Sequence, residues 1–101
     1  MKKIDFSKIV VKDINGNHYA IQEKVDGKNV KKEYDFAKVL GNGMFYNGKD
    51  VHFSELGQKI YHHEEVELTE EDIKSIRDFI NDSFVPFVLL SVNPQLDELL
   101  K

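Results

Sequence analysis

The chain has 101 residues, 41% of them hydrophobic and 32% charged, with a formal net charge of −4 and no cysteine. That length fits one small domain, residues 1–101, and not two. The absence of cysteine excludes disulfides, thiolate zinc sites and cysteine nucleophiles, and it accords with a reducing cytoplasm. No run reaches the ~20 apolar residues of a membrane span. The longest, Phe84 to Val92, is broken by Pro86 and Ser91. At the start, Asp5, Ser7 and Lys8 interrupt what would have to be the apolar centre of a signal peptide. A cytoplasmic protein with no membrane partner is the expectation.

Charge is unevenly placed. Residues 1–34 hold eight lysines against five acids, and residues 35–101 hold six basic residues against thirteen acids. A basic amino half and an acidic carboxyl half can attract each other, or can meet partners of different sign.

The first third reads as β. Ile4, Phe6 and Ile9 to Val11 form an apolar, β-branched run. Asn15-Gly16 follows as a hairpin signal, since both residues tolerate positive φ. A second strand over 18–25 alternates Tyr19, Ile21, Glu23 and Val25 against His18, Ala20, Gln22 and Lys24. Asp26-Gly27 predicts a second tight turn, and a third strand over 29–34 carries Val30 and Tyr34. Three strands on two turns predict a meander with one face to cover.

The remainder reads as helix. Asp35 is placed as an N-cap, with Phe36, Val39, Leu40 and Met44 on one apolar stripe. Gly41 and Gly43 each cost a helix about 1 kcal/mol relative to alanine, which allows the helix to stop at Leu40. Residues 47–50 read as a loop. Ser54 is placed as the cap of a second helix, with Leu56, Ile60 and Tyr61 inward. Thr69 opens a third helix with Asp72 three residues on, a short-armed capping box, and with Leu68 and Ile73 at the positions of a hydrophobic staple. Ile73, Ile76, Phe79 and Ile80 form its buried stripe. Residues 81–83 are a break or cap, and Pro86 suits an early helical position. Phe84 to Val92, apolar all round, predicts a short buried helix. Asn93-Pro94 then predicts a break, with a last turn over 95–100.

The most chemically loaded stretch is IYHHEEVELTEED, residues 60–72. As a short strand over 64–68, it turns Val66 and Leu68 inward and places His63, Glu65 and Glu67 on the outer face. His62, His63 and Glu65 are the weak metal candidates. Three neighbours at period two diverge, whereas zinc needs ligands converging at about 2.0–2.2 Å. A further ligand would have to be His18 or His52. The simpler account makes His62 and His63 a helix end, where positive charge is favourable, and makes the glutamates a soluble strand edge. Glu64 alone has no structural reason, because the alternation turns it inward. LTEEDIKSIRDFI resembles the start of a calcium-binding helix pair, but no acidic loop with its sixth-position glycine accompanies it. Gly41, Gly43 and Gly48 spell neither a dinucleotide fingerprint nor a P-loop, and no nucleophile elbow is present. No cofactor and no catalytic residue is assigned.

Two interaction features remain. Lys24, Lys28, Lys31 and Lys32 cluster around the second turn, and a basic hairpin can contact phosphates. Arg77 is the only arginine and lies in the acidic half, which counts against base readout. Phe84, Phe87, Val88, Leu89 and Leu90 belong either in the core or in an oligomer contact.

The segments KIDFSKIVVKDINGN, VLGNGMFYN and IYHHEEVELTEEDIKSI resemble small uncharacterised proteins encoded by bacterial prophages and mobile elements, over most of the chain. His63-Glu64 stands where that pattern has an Asn/Gly-type turn, and residues 22–34 form a longer hairpin. The resemblance implies an assembly or interaction part rather than an enzyme, and it carries over no residue role. The expected fold is α+β: an antiparallel three-stranded β-meander over residues 3–34, packed against three to four short α-helices over residues 35–101. The expected function is a non-enzymatic, self-associating interaction or assembly protein of a phage-derived element. The alternatives are a nucleic-acid accessory using the lysine hairpin and a small metal-dependent enzyme at His62/His63.

Overall fold

Asp5 decides the course of the amino terminus. Its carboxylate accepts the Ser7 N–H at 3.0 Å and opens a 3-10 turn over Phe6–Lys8. Strand β1 therefore ends early, at Lys2–Ile4. The computed structural model, which describes residues 1–101, pairs β1 with a strand far along the chain. That partner is β4, Val66–Leu68, antiparallel, with Ile4 opposite Val66 and Lys2 opposite Leu68. Ile4, Val66 and Leu68 are buried, so this small sheet caps one end of the core.

Residues 9–12 correct the expected meander. They do not form its first strand. The Asn15-Gly16 turn does form, with Gly16 at φ 80°, but only the isolated bridge between Lys12 and His18 closes it. The backbone of Val10 is engaged elsewhere. Its N–H donates to Gln95 Oε1 at 2.9 Å, and its carbonyl accepts from Gln95 Nε2 at 2.6 Å. The Lys12 N–H donates to Ser91 Oγ at 3.0 Å. These groups lie on the edge turned away from residues 18–25; the pairing with those residues stops because the Tyr19 carbonyl, which the Val11 N–H would need, accepts from the Tyr34 N–H at 2.9 Å instead.

Strands β2 (Ala20–Val25) and β3 (Lys28–Glu33) form a separate two-stranded sheet. Asp26 and Gly27, at φ 52° and 78°, make the tight turn that the sequence predicts; two positive φ values match the twist of paired strands. Every residue from Ile21 to Glu33 is exposed. The core comprises 18 buried apolar residues, and none comes from this arm. The molecule is accordingly elongated, 43 × 28 × 22 Å.

Helix α1 spans Phe36–Asn47, with the Asp35 side chain accepting from the Lys38 N–H as expected. It runs past Leu40 because Gly41 and Gly43 are packing residues. Helix α2, Val51–Tyr61, crosses α1 there. A Cβ on Gly41 would meet the Tyr61 amide nitrogen and would lie 2.5 Å from the Gly57 carbonyl oxygen. On Gly57 it would lie 2.6 Å from Met44 Cβ. The cap of α2 is Asp50, accepting from the Phe53 N–H at 2.8 Å. Ser54 lies inside the helix and donates to the Phe45 carbonyl at 3.1 Å, which corrects its placement as the cap.

Helix α3, Glu70–Ser83, carries the full capping box at Thr69 and Asp72. Helix α4, Pro86–Leu99, begins with Pro86 in its first turn and continues through Pro94, so the expected break at Asn93-Pro94 is absent. An interior proline costs a helix about 3 kcal/mol. Burial of Val92 and Leu96 on either side of Pro94 offsets that on the scale of 1.5–3 kcal/mol for each side chain, and Gln95 is tethered at the same level. The helix is also not buried all round: Val88, Val92 and Leu96 face the core, while Phe87 and Leu90 are exposed.

Gln95→Leu keeps the size of the side chain and leaves both backbone groups of Val10 without their side-chain partner. Urea denaturation of this variant should show a loss of about 1–3 kcal/mol.

Candidate functional site

Tyr19 and Tyr34 flank the base of the arm. The Tyr34 N–H donates to the Tyr19 carbonyl at 2.9 Å, which continues the β2–β3 ladder by one pair. Their rings meet edge to face with centroids 5.4 Å apart, and the Phe87 ring stands 5.2 Å from Tyr19. Helix α4 is held in place by Gln95 and Ser91, so Phe87 necessarily faces the arm base. Between these rings and α1 opens a groove of about 530 Å³. Val39, Phe79, Phe84 and Val85 add apolar walls; Asn42, Asn47 and Ser83 supply the polar groups. Gly43 lies at its floor, where a Cβ would come 3.2 Å from the Phe79 ring. Burial, and secondarily the neighbouring Tyr19 phenol, pushes the Tyr34 hydroxyl above its usual pKa.

Tyr19 and Phe87 also line a second cleft of about 520 Å³, with Ile14, Leu90 and Ser91. The two hollows therefore adjoin at Tyr19 and Phe87, which line both. Their exposed apolar groups are prominent: Ile14 is fully exposed, Leu90 79%, Val85 55% and Phe87 43%. Of the five apolar residues named from the sequence, Phe87 and Leu90 lie on this surface. Phe84 and Val88 line the first groove, although Val88 is buried and Phe84 packs on Phe36 at 5.1 Å. Leu89 is packed against the core. The sequence pattern identified α4 but not Tyr19, Tyr34 or Val39. Tyr19 and Tyr34 shared the strand alternation with Ile21, Val25 and Val30, and that was the one available signal.

The histidines are parts of helix ends. Helix α2 closes with His62 at its cap and His63 just beyond at φ 61°. The His63 N–H donates to the Ile60 carbonyl, and the Glu64 N–H to the Lys59 carbonyl, both at 3.0 Å. This paired closure normally takes glycine at the left-handed position. Here His63 Nε2 reaches Asp35 Oδ2 at 2.8 Å, which ties the end of α2 to the cap of α1. Glu64 is exposed beside this turn rather than turned inward, because β4 begins only at Val66. Glu65 is exposed too, and Glu67 faces outward to Lys3 at 3.7 Å. No three His, Asp or Glu side chains converge with metal-holding geometry, and His62, His63 and Glu65 are not brought together around one point.

The lysine cluster is divided by register. Gln22 stands opposite Lys31 and Lys24 opposite Asn29, while Ile21 faces Lys32, Glu23 faces Val30 and Val25 faces Lys28. Opposed residues share a face. Lys24 and Lys31 thus lie on a polar face with Gln22 and Asn29. Lys28 and Lys32 lie on the other, with Ile21, Val25 and Val30, and Lys32 pairs with Glu23 at 3.7 Å.

His52 Nε2 approaches Asp72 Oδ1 at 2.9 Å, and Asp72 Oδ2 accepts the Thr69 N–H at 3.1 Å. Burial pushes the Asp72 carboxyl up, but the hydrogen bonds from Thr69 and His52 outweigh it, and its pKa ends below the usual value. A depressed carboxyl stabilises the fold above its unfolded pKa and stops doing so as pH falls through the folded one. Thermal melts across a pH series should therefore show the chain more stable than Asp72→Asn at neutral pH, with the gap closing in the acid range below about pH 4. Comparison with protein families, curated proteins and solved structures returned no match.

Proposed function

We propose that this chain is a non-enzymatic interaction or assembly protein that pairs with a second copy of itself through the exposed face of α4. The observation that carries this reading is the set of exposed apolar side chains Ile14, Val85, Phe87 and Leu90 along the two adjoining hollows. The main groove is lined by aromatic and aliphatic side chains, with no carboxylate and no imidazole, which suits packing better than proton transfer. The surface bears both a ridge, Phe87 and Leu90, and hollows on either side of it. A patch with both shapes can fit its own copy about a two-fold axis. An assembly role in a phage-derived element is the setting that the prophage resemblance implies.

Leu90→Asp should leave the fold intact, since surface changes cost within about 0.5 kcal/mol. It should weaken the dimer by about tenfold or more, the effect of losing an interface anchor. Light scattering at micromolar concentration reads both proteins. A monomeric parent chain at every concentration tried refutes the proposal.

One observation favours a second reading: the polar face of the arm joins Lys24 and Lys31 to Gln22 and Asn29 without a carboxylate until Glu33. A two-stranded ribbon fits a duplex major groove, and amides with lysines suit bases and phosphates. Fluorescence anisotropy with duplex DNA at low salt should then show binding that weakens with salt by a slope of about two, and that Lys24→Ala with Lys31→Ala abolishes. No binding at low salt, or binding without salt dependence, removes this reading.

A further inference from the structure

Helix α4 alone offers little for a dimer. Three or four side chains on two turns fall short of the roughly 800 Å² per partner that a stable interface buries. The arm supplies what is missing. Its face holding Ile21, Val25 and Val30 is continuous with Tyr19 and Tyr34, since all follow the same period-two alternation. These three residues are 41%, 48% and 45% exposed, and no helix packs over them. A two-stranded hairpin is marginal in water without something against its apolar face.

From these observations we infer that the arm of each copy lies across α4 of the other, in a reciprocal clasp that rests on the self-association proposed above. Two matched patterns identify the occupant. The exposed stripe of α4 runs Phe87, Leu90, Pro94, Asp97, spaced i, i+3, i+7 and i+10, with Glu98 beside its end. It is apolar first and acidic last. The arm face is aromatic at its base, alternates Ile21, Val25 and Val30 with the mutually paired Lys32 and Glu23, and ends on Lys28, opposite Val25. The lengths are compatible: the stripe from Phe87 to Asp97 spans about 15 Å, within the roughly 20 Å from Tyr19 to Val25. Asp97 and Glu98 have partners in their own chain, Arg77 at 2.6 Å and Lys101 at 2.9 Å. Both remain more than half exposed, with carboxylate surface left for an incoming lysine. A two-fold axis through the Tyr19–Phe87 region forms the contact twice, and the partner is a second copy of this chain.

The absence of cysteine makes a direct test clean. Val25→Cys and Pro94→Cys are made as separate variants, mixed, and oxidised by air. The clasp forms mainly the mixed disulfide, one chain of each kind. A mixture dominated by Val25→Cys homodimers shows arm-to-arm pairing and overturns the clasp. Separately, Lys28→Glu weakens the dimer by up to about fivefold, the worth of an exposed ion pair, and adding Glu98→Lys restores it. If light scattering shows a dimer that Leu90→Asp disrupts, while Lys28→Glu has no effect and no mixed disulfide forms, the clasp is wrong and self-association stands. If the parent chain is monomeric, both fall.

Discussion

The amide of Gln95 is the contact on which the rest of this molecule turns. It donates to and accepts from the backbone of Val10, 85 residues away in sequence, and does for that segment what a neighbouring strand would do. Its Nε2 also reaches the Ser91 carbonyl at 2.8 Å, so the side chain is fixed in the turn that contains Pro94. Two consequences follow. Residues 9–12 are held extended against the helix. Helix α4 is held with Val88, Val92 and Leu96 inward and Phe87 and Leu90 outward. The arm, whose Tyr19 carbonyl is taken by the Tyr34 N–H, gains no third strand and projects with both faces uncovered.

The opposite side of the molecule obeys a different constraint, close approach of backbones. Gly41 and Gly57 let α1 and α2 touch where no Cβ fits. That proximity brings the end of α2 back to the start of α1, where His63 meets Asp35. A non-glycine residue in the left-handed region costs about 1–2 kcal/mol. Two backbone hydrogen bonds of the helix closure and the bond to a carboxylate that already caps α1 offset it. The loaded sequence at residues 60–72 is in this sense an architectural joint. Its histidines and most of its acids hold or decorate helix ends, and Asp72 serves both the cap of α3 and the imidazole of His52.

Apolar surface is left along the outer stripe of α4 and along one face of the arm, which meet at Tyr19, Tyr34 and Phe87, and also on α1 and α2, where Phe45, Tyr46 and Val51 are exposed. A chain of this size has enough apolar residues to fill its core with 18 of them and still to expose several. The part on α4 and the arm lies on two elements that share a boundary. Near the ends of these elements stand Lys28, beside Asp26 in the turn of the arm, and Asp97 and Glu98 on α4. The self-association proposed above draws on both patterns and leaves the polar face of the arm, with Lys24 and Lys31, free for other contacts.

Local chemistry was legible in the amino-acid sequence by itself. The capping box at Thr69, the cap at Asp35, the Asp26-Gly27 turn, Pro86 in a first helical turn and the alternation of Val66 and Leu68 all depend on residues within a few positions of one another. The α+β class was legible for the same reason. What tertiary structure decided were the questions of partnership. Residues 9–11 read as a strand, but that Val10 meets Gln95 depends on where α4 lies, and that pairing with residues 18–25 stops at Tyr19 depends on Tyr34. Gly41 reads as a helix breaker until Gly57 is seen against it. The run from Phe84 to Val92 reads as buried because composition does not say which side of a helix has a neighbour. Asn93-Pro94 reads as a break because the burial of Val92 and Leu96, which holds the helix together across it, is nonlocal. Sequence spacing determines which residues share a face; only the packed chain determines what that face meets.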